Sequence, residues 1–355
     1  MNKVQKPLMD LSMPAGISKI EKVVQDYQIF QTFLAAVNLG LFDYLSQKGA
    51  ADRKVIAEGI GINGMFSRSF LDTLVEIGLL SKQDENYQNS AIANDFLVSG
   101  SPFYQGDWVK NIGCGSQWGN LEESLKREKP EIKKTGSGPS EAFLNSLAET
   151  SLRGELQAVT KAIAGWSGFA KAKTLMDLGG GHGLYAIALC QANPNLKGVV
   201  FDKPDVTQIT QKYIDKYQMS SRMSTRGGDI CTDGFGSGFD IVIVSHLLYK
   251  FRKELEPFFE KVYKALNPGG LLVTNHWFCA PGCTAEGSSV RELAKSLQSF
   301  GHPLCHIEDF YKIFENKGFK LILKSDIPST HGTSFLQLAV KGEGGKDASD
   351  KSCCC

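Results

Sequence analysis

The stretch Asp177–Gly183 reads "DLGGGHG": an acidic residue, then four glycines in five positions, interrupted only by His182. It grows out of an apolar run, "TLMDLG", and leads into "GLYAIALCQAN", so a buried strand turns into a helix across a loop nearly free of side chains. Such a loop lets the backbone approach a ligand closely. Its spacing is not G-x-G-x-x-G, and the dinucleotide fingerprint is not met. Asp202 ends the next apolar run, nineteen residues past Gly183, where an acid bonds ribose hydroxyls. Asp229, in "GGDI", ends the third. Three acids at successive strand ends repel a pyrophosphate, which seeks helix N-termini and basic groups. The loop is expected to hold a nucleoside without phosphate.

Outward from the loop, strands and helices alternate from about Ala172. "KGVVFDKP" is a strand, "DVTQITQKYIDKY" a helix, "FDIVIVS" a strongly apolar strand and "KELEPFFEKVYKALNPGG" a helix with a Pro-Gly-Gly stop. "LLVTNHWF" is a further strand, and "KLILKSD" with "SFLQLAVKG" closes the series as a hairpin. Alternation of this kind predicts an α/β fold with a mostly parallel, Rossmann-like sheet covered on both faces.

The N-terminal third has a different grain. Val23, Ile29, Phe33, Val37 and Leu41 recur at helical spacing over 18–45, which predicts one or two amphipathic helices. A short helix, a Gly/Asn turn, a longer helix ending at Gly78 and a polar hairpin follow, the pattern of a winged-helix unit. Its second helix, "SRSFLDTLVEIGLL", offers only Arg68 as a basic side chain, so the unit is expected to pack or dimerise rather than bind DNA. The charge balance agrees: 39 basic against 38 acidic residues leave no excess for nucleic acid. The aromatic stretch 103–118 precedes the polar segment Lys133–Ser140, read as a flexible connection. The expected organisation is a flexible start (1–17), a winged-helix-like dimerisation domain (18–132), a connecting helical region (133–170), the α/β domain (171–342) and a disordered tail (343–355).

"DLGGGHGLYAIAL", "VVFDKPDV", "GGDI", "FDIVIVSHLLYKF" and "ALNPGGLLVTN" resemble, in order and spacing, the motifs of class I S-adenosylmethionine-dependent methyltransferases. The subgroup they resemble is the plant-type and acetylserotonin-type small-molecule O-methyltransferases. "LAAVNLGLFDYL" with "FLDTLVEIGLL" is similar to that family's N-terminal dimerisation domain, and the likeness covers residues 20–342. The resemblance implies S-adenosyl-L-methionine as cofactor, a small-molecule methyl acceptor and a homodimer. It implies that Asp177, Gly179, Gly181 and Gly183 line the methionine and ribose end. Asp202 would take the ribose hydroxyls, and Asp229 with Ile230 the adenine.

The pattern breaks after the fourth strand of the α/β domain. The family's text there is similar to "LHDW", its His being the base that takes the acceptor's proton, whereas "LYKF" puts Tyr249 at that position. A phenol with a pKa of about 10 is a poor base at neutral pH. The acid that orients the family's His falls near Leu304. Three readings stay open. In the first another His serves, with His246 (also at the cofactor end), His276, His302 and His306 as candidates. In the second the acceptor atom is carbon or sulfur and needs no base, as the likeness of Tyr249 to the bacteriochlorophyll C-20 methyltransferase branch suggests. In the third the domain binds cofactor without turnover.

Nine cysteines include six scattered ones, read as free thiols in a reducing cytoplasm. His276, Cys279, Cys283, Cys305 and His306 form a loose soft-ligand pattern, read as buried thiols with no metal. The chain lacks a secretory h-region and a continuous apolar span. The terminal Cys353, Cys354 and Cys355 do not fit a C-a-a-X box, and only their lipidation would bring the protein to a membrane.

Overall fold

A computed structural model of the chain describes residues 7–127, 139–252, 254–279, 288–299, 304, 306–329 and 332–342. The chain divides into two compact units, Met1–Gly113 and Cys114–Cys355.

In the first unit the expected apolar stretch forms α1 (Ile17–Asn38) and α2 (Leu41–Lys48), broken at Gly40, whose φ of 68° is left-handed. β1 (Ala51–Asp52) leads into α3 (Arg53–Ile60), where the Asp52 carboxylate accepts the backbone N–H groups of Lys54 and Val55 and so starts the helix. Asn63 caps α4 (Gly64–Glu76) in the same way. β2 (Leu80–Gln83) and β3 (Asn86–Asn89) form the hairpin, and β1 joins it in the order β1-β3-β2. α5 (Ala91–Phe96) and α6 (Gly106–Lys110) complete the unit. Phe42, Leu71, Leu74 and Tyr87 are its core, and Val109, from the aromatic stretch, is buried with them. Arg68 stays exposed on α4. This is the helix–turn–helix and wing read from the sequence.

The second unit opens with α7 (Leu121–Lys126), α8 (Glu141–Ser151) and α9 (Glu155–Ala164). Residues 133–138 of the expected connection and the expected tail, 343–355, lie outside the described residues. α9, from the expected connecting region, buries Leu156, Val159 and Ile163 in the sheet's own core. Then follow β4 (Thr174–Leu178), α10 (Leu184–Ala192), β5 (Lys197–Asp202), α11 (Pro204–Lys216), β6 (Met223–Gly227) and β7 (Phe239–Ser245). α12 (Leu255–Ala265), β8 (Leu266–His276), α13 (Ser289–Ser299), α14 (Ile307–Asn316), β9 (Phe319–Ser329) and β10 (Gly332–Lys341) finish it.

The sheet order is β6-β5-β4-β7-β8-β10-β9, parallel from β6 to β8, with the β9–β10 hairpin antiparallel at one end. The period-two alternation of strands sorts their side chains between two cores. Leu175, Ile241 and Ile243 join the α9 and α10 side, while Met176, Val242 and Val244 join Phe258, Phe259, Phe310 and Phe314 on the other. Because β4 is flanked by β5 and β7, the winding reverses there, and the strands' carboxyl ends open a crevice beside the glycine loop. Asp229 departs from the expectation. β6 ends at Gly227, and Asp229 lies in the following turn, where its backbone N–H donates to Asp233 (2.9 Å) and its carboxylate accepts from Cys231 N (2.7 Å). Among the described residues no single helix is long and apolar enough to cross a membrane.

Candidate active site

The glycine loop is pinned from below. Gly179 N donates to the Phe201 carbonyl (2.7 Å), drawing the loop over the end of β5. Gly179, Gly181 and Gly183 have φ of 64°, 54° and 72°, the left-handed region that side chains disfavour. At Gly179 a Cβ would also stand 2.6 Å from Leu247 Cδ1. Asp202 accepts from Gly181 N (2.9 Å) through one oxygen and Lys203 N (2.7 Å) through the other. Burial raises its pKa, against the pull of those two N–H groups. His182 is buried, and its Nδ1 accepts from Leu184 N (3.1 Å) at the start of α10. Burial pushes its pKa down to about 4, so this ring is neutral and holds the helix start.

Asp177 is 1% exposed, and its Oδ2 has no hydrogen-bond partner among the described residues. Burial, and then the charge of Asp202, push its carboxyl up to about 7. A buried, unsatisfied carboxylate oxygen is costly and calls for a cationic or donor partner.

At the end of β7 the backbone of His246 turns left-handed, with φ 50°, and its N–H donates to the Asn275 carbonyl (2.9 Å). The turn holds the imidazole between two partners. Nδ1 lies 2.7 Å from Tyr249 Oη and Nε2 lies 2.6 Å from Glu155 Oε1. Glu155 Oε1 also accepts from Asn275 Nδ2 (2.7 Å) and Ser334 Oγ (3.1 Å). Burial opposes its charge, but the His246 charge and these hydrogen bonds outweigh it and lower its pKa. Tyr249 is almost fully buried, and its Oη accepts from Trp277 N (2.8 Å). Burial drives that phenol well above its usual value, so it is neutral.

One cavity of about 250 Å³ brings these parts together. Gly179, Gly181 and Asp177 line it on one side, Glu155, His246 and Tyr249 on another, and Phe143 and Leu147 of α8 on a third. Other candidates lie elsewhere. His276 is fully buried, and its Nε2 accepts from Leu247 N and Leu248 N, both at 3.3 Å. Burial lowers its pKa well below 6.5. It props the turn that carries His246 and does not line the cavity. His306, exposed, sits at the N-terminal cap of α14. Leu304 is buried and bridges to Phe278. Asp229 and Ile230 do not line the cavity, and Ile230 rests against the aromatic core. His302, Cys283, Cys305 and the tail cysteines 353–355 lie outside the described residues. Among the described residues no three His, Cys, Asp or Glu side chains are grouped to hold a metal ion.

Glu155 is a cavity-lining acid that motif reading passes over. A signal for it exists: it lies on the same face of α9 as Val159 and Ile163, an acid at the head of an apolar stripe. An acid so placed needs a buried partner, but nothing local says that the partner lies 91 residues on.

Comparison with known proteins agrees with this architecture. The family model of the O-methyltransferase domain matches residues 120–320, and that of the O-methyltransferase dimerisation domain matches residues 22–99. An uncharacterized protein of Methanocaldococcus jannaschii is 29% identical over 345 residues, 90% of this chain and 88% of that protein. The 3-hydroxy-5-methyl-1-naphthoate 3-O-methyltransferase of Streptomyces sahachiroi is 29% identical over 62% of this chain and 65% of its own. The crystal structure of human N-acetylserotonin methyltransferase in complex with S-adenosylmethionine has a similar fold. Its TM-score is 0.73 at 21% identity, covering 93% of this chain and 99% of that one. With a family model spanning more than half of its length on a sheet of this topology, the chain belongs to the O-methyltransferase family.

Proposed function

We propose that the cavity binds S-adenosyl-L-methionine and that the protein methylates a hydroxyl group on a small, aromatic or apolar acceptor. The observation that carries this reading is the convergence of the glycine loop and the His246–Tyr249 pair on one cavity. The residues present suit the cofactor. The unpartnered Oδ2 of Asp177 suits a cationic or N–H-bearing group, and Gly179 and Gly181 bring bare backbone to the cavity wall. In this reading Gly179, Gly181 and Gly183 face the methionine and ribose, and Asp202 keeps lone pairs for ribose hydroxyls beyond its two backbone bonds. The bound cofactor supplies an electrophilic methyl group on a sulfonium. The chain's own share is to align the acceptor, exclude water and accept its proton. Phe143, Leu147 and Trp277 give that acceptor apolar walls.

The dimerisation-domain match supports a homodimer formed through residues 22–99. The free thiols of Cys190, Cys231 and Cys279 suit a reducing, cytoplasmic setting.

Calorimetric titration with S-adenosylhomocysteine, with NAD as the control, tests the cofactor. Binding of the first alone is expected, and binding of NAD instead would overturn the reading. Asp202→Ala removes the ribose contacts and the prop under Gly181 together. At about 1 kcal/mol for each hydrogen bond, S-adenosylhomocysteine affinity should fall by at least about tenfold. Unchanged affinity would take Asp202 out of the site.

A further inference from the structure

We infer that Glu155, His246 and Tyr249 form a proton relay that stands in for the base histidine this chain lacks. An acceptor hydroxyl passes its proton to Tyr249 Oη as Tyr249 passes its own to His246 Nδ1. The inference rests on the methyl-transfer reading above and assigns Glu155 and the phenol roles within it.

The hydrogen bonds around the phenol point to this arrangement. Tyr249 Oη has one hydrogen and two lone pairs. One lone pair takes the Trp277 N–H at 2.8 Å, and the hydrogen faces His246 Nδ1 at 2.7 Å. The second lone pair is left for a donor, and Tyr249 lines the cavity. With Nδ1 accepting, the neutral imidazole carries its hydrogen on Nε2 and donates it to Glu155 Oε1 at 2.6 Å. Tyr249 alone cannot hold the acceptor's proton, because an ionised Tyr249 is disfavoured by burial and by the Glu155 charge. Relayed through it, the charge ends as an imidazolium beside a carboxylate already held by Asn275 and Ser334.

The step balances. The acceptor oxygen gains a bond to the methyl carbon as the carbon–sulfur bond breaks and its electron pair stays on sulfur. The acceptor's proton goes to Tyr249, whose own proton goes to His246.

The groups facing His246 set the charges around the ring. Glu155 on α9 is ionised, Tyr249 beyond β7 and Tyr185 on α10 are neutral phenols raised by burial, and His276 on β8 is neutral. Asp177 acts on Tyr185 from β4. Among the described residues only Glu155 contacts the ring as an anion.

The test is histidine nitrogen NMR on the full chain with S-adenosylhomocysteine bound, compared among wild type, Glu155→Gln and Glu155→Asp. In wild type the His246 hydrogen is expected on Nε2, with Nδ1 bare. Glu155→Gln should move part of the ring's hydrogen from Nε2 to Nδ1, because the carboxylate that holds it on Nε2 is gone, and Glu155→Asp should return part of it to Nε2. A hydrogen on Nδ1 in wild type, or a tautomer balance that Glu155→Gln leaves in place, overturns the relay. Calorimetry on the same samples separates the two readings. A wild type that does not bind S-adenosylhomocysteine would overturn the methyl-transfer reading, whereas binding with the wrong tautomer would overturn the relay alone.

Discussion

Tyr249→Phe lowers kcat by about 10²–10⁴, the range in which a positioned acid or base contributes, while KM and cofactor affinity change by less than about threefold. The substitution removes one oxygen and leaves the packing. The ring still stacks on Trp277, 5.4 Å between centroids at 16°, and still meets His276 edge-on. The link between the acceptor and His246 Nδ1 is cut. Some stability goes too, because Trp277 N loses the acceptor it has at 2.8 Å, and an unsatisfied buried N–H costs about 1–3 kcal/mol. His246→Asn should cost a similar factor in kcat, since Asn tolerates the left-handed backbone but cannot take the proton. The double variant should be no slower than either single one, because the two act as a unit. Initial rates with two phenols of different acidity check this. The loss should be large with a phenol that is neutral at the assay pH and under about tenfold with one already ionised. Equal losses with both would reduce Tyr249 to a wall of the cavity.

The second large effect concerns Asp177→Asn. The carboxyl titrates near 3.8 when unfolded and at about 7 in the folded protein, pushed up by burial and by Asp202. Between those values the folded state holds a proton that the unfolded state has released. Stability of the cofactor-free protein therefore falls as pH rises through that window, and the full cost is present above about pH 7. A rise from 3.8 to about 7 corresponds to a cost on the order of 4 kcal/mol. Asn carries no such titration, so the cofactor-free variant should overtake wild type as pH climbs through the same window. Chemical denaturation of both proteins across that range measures the gap, and parallel curves would sink the argument. Cofactor binding should reverse the order. A cationic group placed against Asp177 favours its ionised form, so wild type should release a proton on binding near neutral pH. The variant should release none and bind more weakly. Titrations in buffers of different ionisation enthalpy read that proton directly.

These two residues also mark where sequence reading succeeds and where it stops. That Asp177, Gly179 and Gly181 line the cavity is legible because they are ordered by position along a strand and the loop after it, a local matter, whereas Gly183 and Asp202 stand outside its lining. The α/β alternation, the terminal hairpin and the winged unit are legible for the same reason: periods of two and 3.6 residues are written over neighbours in the chain. Asp229 falls a short distance from its expected place, because two glycines end β6 earlier than the acid suggests.

The base is of another kind. Motif alignment returns a tyrosine and a set of loose histidines, and no local rule ranks them. Packing gives them different places, turning His276 inward under the backbone of Leu247 and Leu248 and His246 toward the cavity. The same packing lays α9 across the sheet, so that Glu155 meets a histidine 91 residues away. Short-range periodicity and backbone freedom encode the elements, their order and the glycine loop, so these can be read along the chain. Which ionisable groups touch is settled on folding alone, because those contacts depend on the strand order around β4 and on which helix face the sheet buries.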